Sequence, residues 1–172
     1  MSVSPPPAGS WEAPEAQAGP APGVEFAPHG ARLVAYIIDG IIVSILCGIL
    51  LIIGFAVFVS GATVVDGQVT SIGGGAAGAG TVVFILAFVL AFLYFPFFWA
   101  RGGQTLGMKP FGLRVVSDRD GSRIGWGKAL LRLVGTWVSS AVFYLGYIWI
   151  FIDKRRRGWH DLIAGTVVVR QP

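Results

Sequence analysis

Residues 31 to 59 read ARLVAYIIDGIIVSILCGILLIIGFAVFV, and the fold turns on them. From Leu33 to Val59 Asp39 is the only charged side chain. At about 1.5 Å per residue, a helix of that length crosses a hydrocarbon layer of about 30 Å with tilt to spare. A second uncharged run extends from Gly67 to Ala100, and its apolar part, about Thr81 to Ala100, is the usual length of one span. The whole chain agrees: of 172 residues 54% are hydrophobic and only 13% charged, against about 25% charged in soluble domains. Mean hydropathy is +0.71. A water-soluble globule and a large multidomain enzyme are both excluded.

Between the two spans, Gly61 to Gly80 includes Gly73-Gly74-Gly75-Ala76-Ala77-Gly78-Ala79-Gly80. So much glycine predicts a flexible loop without a fixed fold. Pro96 falls inside the second span, where a kink is expected, and Phe95, Phe97, Phe98 and Trp99 crowd that end as an interfacial belt or as core packing. Residues 1–30 hold seven of the ten prolines and no base, and are expected to form a disordered tail that is not a cleaved signal. Residues 31–170 form the membrane domain.

A third apolar stretch, Leu133 to Ile152, is uncharged for a span's length. Lys and Arg are absent from 60–80, whereas Arg101 to Arg132 carries seven and Lys154 to Arg170 five. The positive-inside rule puts the basic segments in the cytoplasm and the glycine-rich segment outside. One plain third crossing would export Lys154-Arg155-Arg156-Arg157, so residues 126 to 152 are expected to enter, turn near Ser139, Ser140 or Gly146, and return. Such a hairpin must pack on the first two spans. Phe111 to Val116 and Thr166 to Val169 have the β-branched content of strands that could pair on the cytoplasmic side.

Asp39 is the informative side chain, since a carboxylate in an apolar helix must be paired, protonated or facing water. Arg32 lies on the same face, but about 10.5 Å away along the axis and leaning the other way. The expected partner is therefore a base from another segment, Arg132, four residues after Lys128. Gly102 to Lys109 comes near the phosphate-loop pattern but has Met108 where the lysine belongs; it is expected to end the second helix and aim Lys109 at lipid headgroups. Lys128, Lys154, Arg155, Arg156 and Arg157 suit anionic headgroups in the same way. Nucleic-acid binding lacks the interleaved aromatic and glycine pattern of an RNA-binding module. His160 reads as a surface or packing residue, with gating near neutral pH as the alternative. Asp161, next to the basic run, is expected to stay charged and to cap or salt the strand region. Cys47 stands alone and can form no intrachain disulfide. No catalytic triad, zinc motif or cofactor motif can be assembled, so no cofactor and no metal are expected.

Four pieces resemble the RDD family of integral membrane proteins. They are Ala31-Arg32-Leu33-Val34-Ala35-Tyr36-Ile37-Ile38-Asp39, Gly103-Gln104-Thr105-Leu106-Gly107-Met108-Lys109, Leu130-Leu131-Arg132, and Arg157 to Val169 with Trp159-His160-Asp161-Leu162. The resemblance covers roughly Gly30 to Arg170 and implies that the name-giving residues are Arg32, Asp39 and Asp161. It also implies transport of unidentified ligands, with cation/proton exchange in some members.

The resulting expectation is an all-α membrane protein: two transmembrane helices, a membrane-embedded helical hairpin or third span, a small cytoplasmic β element and a disordered amino-terminal tail. It sits in the inner membrane, with both ends cytoplasmic, among anionic lipids, with a second copy or another membrane protein as partner. One clear intramembrane acid and no inverted repeat favour a structural or accessory role over a small cation or proton transporter working through Asp39.

Overall fold

The computed structural model describes residues 24–171. Helix α1 (His29–Ser60) starts after Pro28, whose extended backbone sets the helix entry, and ends at Gly61. Helix α2 (Gly74–Gly102) runs unbroken through Pro96 and stops at Gly103, which takes the left-handed conformation that favours glycine. Both helices are long and apolar enough to cross a membrane. They touch backbone to backbone: a Cβ on Gly80 would lie 2.7 Å from the Phe58 Cβ and 2.8 Å from the Gly54 carbonyl. Small residues at a membrane helix crossing permit this approach, because lipid supplies no hydrophobic force to press helices together.

The glycine-rich connection departs from expectation. Strands β2 (Ala62–Val65) and β3 (Gln68–Ile72) form an antiparallel hairpin. Asp66 and Gly67 both have positive φ, 51° and 78°, as a tight primed turn requires. The run from Gly74 to Gly80, expected as loop, is the first two turns of α2. Close packing on α1 holds this run: a Cβ on Gly61 would lie 2.6 Å from the Ala76 Cβ, and Gly80 sits against Phe58.

At the opposite end, where α1 begins and α2 finishes, β4 (Leu113–Ser117) pairs antiparallel with β5 (Thr166–Arg170), Val115 opposite Val168. A short strand β1 (Glu25–Phe26) adds to the other edge of β5, with Glu25 opposite Arg170. Residues 24–30, counted by composition with the tail, are thus strand and helix start; the rest of that tail lies outside the described residues. Under the sheet, Trp99, Met108, Leu113, Val115, Ile124 and Val168 form the main core. Trp99 is therefore packing rather than belt, while Phe97 stays exposed.

Helix α3 (Trp126–Ala141) meets the short α4 (Leu145–Ile148), which runs on through Phe151 as a 3-10 turn, at a bend of 110°. Phe143 and Tyr144 take positive φ at the break. The segment comes back to the end it left. Trp126 packs on Phe97, while His29 Nε2 donates to the Ile150 carbonyl at 3.1 Å and stacks on Phe151. The turn falls between the residues expected to make it. A last helix, α5 (Trp159–Ala164), packs on α3 and leads into β5.

Candidate functional site

Two buried carboxylates organise the sheet end of the molecule. Asp161 stands in the first turn of α5, where its Oδ2 accepts the Gly158 N–H at 3.1 Å while its own N–H donates to the Gly158 carbonyl. That local cap fixes the carboxylate at the positive end of a short helix. Arg32 Nη2 donates to Oδ2 at 2.6 Å, and Arg132 Nη1 donates to Oδ1. Arg132 also donates to Thr166 Oγ1 at 2.8 Å and to the Tyr36 hydroxyl at 3.3 Å, with its guanidinium 4.8 Å from the centre of the Trp99 ring. Arg32 Nη1 donates to the carbonyl of Arg156. The side chains of Asp161 and Arg132 are wholly buried and that of Arg32 nearly so. Burial alone would raise the Asp161 carboxyl, but Arg132 and then Arg32 beside it hold it well below the usual carboxylate range. One acid thus joins α1, α3, α5 and the start of β5.

His160, the residue before Asp161 in α5, is also fully buried, and neither ring nitrogen has a hydrogen-bond partner among the described residues. Burial pushes its pKa down to about 3, against the pull of Asp161. It is a packing residue at neutral pH, and its depressed value leaves nothing to titrate near pH 7.

Among the described residues no base pairs with Asp39. Its Oδ1 accepts the Tyr94 hydroxyl at 2.8 Å and the Gly107 N–H at 2.7 Å, and its Oδ2 accepts the Thr105 hydroxyl at 2.5 Å. The expected Asp39 and Arg132 pair is therefore corrected: Arg132 is committed to Asp161, and Asp39 is compensated by oriented dipoles. Three donors satisfy a buried carboxylate without a counter-ion. Thr105 also accepts the Met108 N–H, closing the turn that presents these donors. Gly107 has no room for a side chain, since a Cβ there would lie 2.3 Å from the Ala35 carbonyl and 2.9 Å from Asp39 Cγ. The loop that fails as a phosphate cradle thus cradles a carboxyl group supplied by α1.

The remaining basic residues divide. Lys109 and Lys154 are exposed. Lys128 donates to Ser117 Oγ at 2.9 Å. Arg155 and Arg157 both pair with Asp118, at 2.9 and 2.8 Å, and Arg157 also pairs with Asp153. Arg157 holds the Asp153 carboxyl below its ordinary range. Arg156 donates to the carbonyls of Phe26 and Ala27. Most of the run expected to meet headgroups is thus engaged within the protein. Among the described residues no three of His, Cys, Asp and Glu gather at a spacing that could hold a metal ion.

Sequence reasoning missed Tyr94, Thr105 and Gly107 around Asp39, and Tyr36, Trp99 and Thr166 around Arg132. The Gly103 to Lys109 motif carried a signal, a hydroxyl and a glycine two apart beyond a helix end. Tyr94 carried none, because a tyrosine near a membrane surface is ordinary.

The chain is 35% identical over 142 residues to the uncharacterized protein YxaI of Bacillus subtilis, covering 80% of this chain and 93% of that one. It is 33% identical over 91 residues to the uncharacterized membrane protein YteJ of the same organism, covering 52% of this chain and 50% of that one. A proline-rich antigen of Mycobacterium leprae is 27% identical over 144 residues, 79% of this chain and 57% of its own. No solved structure matches. The sequence model of the RDD family matches residues 26–165, a range that holds both carboxylates and both arginines, and the chain is a membrane protein that belongs to the RDD family.

Proposed function

We propose that the chain is a structural or accessory component of the inner membrane, with residues 126–151 embedded as a hairpin and both termini in the cytoplasm. The observation that carries this reading is the complete engagement of the two buried acids. Asp39 is fully buried and accepts three donors, and Asp161 accepts two arginines. Transport groups line paths and exchange partners, whereas these are shut inside packed side chains. Pairing of β1 with β5 supports having both ends on one side, and the basic residues there support the cytoplasm.

A platform held this rigidly suits docking of a second copy or another membrane protein, with Lys109 and Lys154 meeting anionic headgroups. Proteoliposomes test the central claim: a pH-gradient flux is expected to be absent, and to be the same for Asp39→Asn. A flux that vanishes in a folded Asp39→Asn protein ends the accessory reading and restores transport. A topology reporter after Pro172 is expected to read cytoplasmic; an external signal would make residues 126–151 a third span.

A further inference from the structure

Helix α1 opens without an acidic residue or a side-chain cap. Its backbone ladder begins with the Arg32 N–H on the Pro28 carbonyl at 3.1 Å, so the amides of His29, Gly30 and Ala31 precede it. The positive end of a long helix dipole is therefore unneutralised by its own first turn. Gly30 is exposed, and a side chain there would meet nothing within 4 Å.

That first turn forms part of the wall of a cavity of about 350 Å³, together with Arg32, Leu33, Tyr36, Tyr147 and Ile150. The stacked rings of His29 and Phe151 also border it. Its volume is that of a small-molecule site, and its lining is almost wholly apolar. Arg32 also lines it, although the residue itself is buried. Its terminal nitrogens are used by Asp161 and the Arg156 carbonyl, but its buried Nε–H has no acceptor among the described residues. Arg32 and Arg132 share one carboxylate and His160 is neutral, so the cluster behind the cavity carries an excess positive charge. Leu33 and Phe151, 62% and 72% exposed, carry the apolar lining out to the surface that faces lipid.

An occupant must combine a negative head with an apolar chain and arrive from the bilayer. We propose that this cavity binds an anionic phospholipid of the surrounding membrane, its phosphate at the first turn of α1 beside Gly30 and Arg32 and one acyl chain along Leu33, Tyr36 and Ile150. Helix amino termini favour phosphate for the reasons given, and the arginine field adds to them. The site is separate from the lysines expected to graze headgroups, because it takes in a chain as well as a charge.

The test uses the full chain in detergent, examined by native mass spectrometry with phosphatidylglycerol or phosphatidylcholine added. One phosphatidylglycerol is expected to be retained about tenfold better than phosphatidylcholine, whose choline cation offsets the phosphate charge that the helix end and Arg32 attract. Gly30→Glu places an acid where the helix dipole welcomes it, so its melting temperature without lipid should be no lower, yet the preference should vanish. Gly30→Gln should keep it. Leu33→Trp, filling the cavity from its exposed side, should weaken retention of both lipids, and glycerol 3-phosphate should fail to displace the bound lipid. Equal retention of the two lipids by the unaltered protein, a preference that survives in Gly30→Glu, or displacement by glycerol 3-phosphate overturns the proposal.

Discussion

Asp39 and Asp161 are both fully buried acids at one end of the same molecule, and they are stabilised by opposite means. Asp161 has two guanidiniums from distant elements. Asp39 has two hydroxyls and one amide from α2 and the turn that follows it. A charge pair fixes electrostatic balance first and geometry second; its loss leaves charges stranded. A cradle of dipoles fixes geometry first, and each donor removed costs about one ordinary hydrogen bond. The pair therefore holds the fold together over long sequence distances, from residue 32 to residue 161, while the cradle positions one loop on one helix.

Removing Asp161 should break this contrast most sharply. Asp161→Ala leaves Arg32 and Arg132 buried without a counter-ion, and is expected to destabilise by about 3–5 kcal/mol, enough to deplete the protein from membranes. Arg132→Met in the Asp161→Asn background should recover part of that, since neutral packing replaces a stranded charge. Abundance by immunoblot and unfolding in detergent followed by tryptophan fluorescence measure both. A loss no greater than that of Asp39→Asn would put the two acids in one class.

Next in size is an effect of pH on the charged cluster alone. The His160 value falls on folding from 6.5 to about 3. A depressed histidine contributes stability that is complete above 6.5 and is lost as the pH falls from there towards 3. The slope is about 1.4 kcal/mol per unit, so moving from pH 6.5 to 5 should cost about 2 kcal/mol. Asp161 adds nothing in that window, because the stability from its depressed carboxyl is complete above the ordinary carboxylate value of 3.8 and is lost only as the pH falls below it. His160→Gln should flatten the unfolding profile between pH 6.5 and 5, and an unchanged slope in that variant would show that protons enter elsewhere.

How far each arrangement was legible in the sequence follows from the same physics. Charge is conspicuous in an apolar chain, so Arg32, Asp39, Arg132 and Asp161 stood out, as did the two spans and the valine-rich runs that became β4 and β5. Which base meets which acid was not legible. It depends on α5 being carried back against α3 and α1, a closure that no helical spacing encodes. Asp39 looked in need of a cation because dipolar donors leave no mark: Tyr94, Thr105 and a backbone amide are everyday groups until a fold aims them. The hairpin at Asp66-Gly67 had a turn signal, but the glycine run beside it suggested a flexible loop, and the helix that begins there rests on packing against α1 rather than on propensity.

Asp39→Asn should show how shallow the dipolar cradle is. The amide oxygen can still accept Tyr94 and Gly107, but an NH₂ group faces the Thr105 hydroxyl, which must turn from donor to acceptor. A loss of about 1.5 kcal/mol is expected, with no collapse in abundance. A loss above 3 kcal/mol would mean that Asp39 compensates a positive charge after all.

The smallest effect is a coupling, and it separates the two modes most cleanly. Tyr94→Phe removes one donor to Asp39 and leaves Thr105 and Gly107 in place. The ring still packs edge-on against Phe95. The expected cost is about 1.5 kcal/mol, and it should be clearly smaller when Asp39→Asn is already present, because a neutral amide gains less from the hydroxyl than a carboxylate does. It should add fully to Asp161→Asn, since the acid at residue 161 shares none of these donors. Coupling in the first cycle with additivity in the second would establish that two independent devices hold the sheet end of this protein. Coupling in both would mean that the loop after α2 and the arginine cluster yield as one unit.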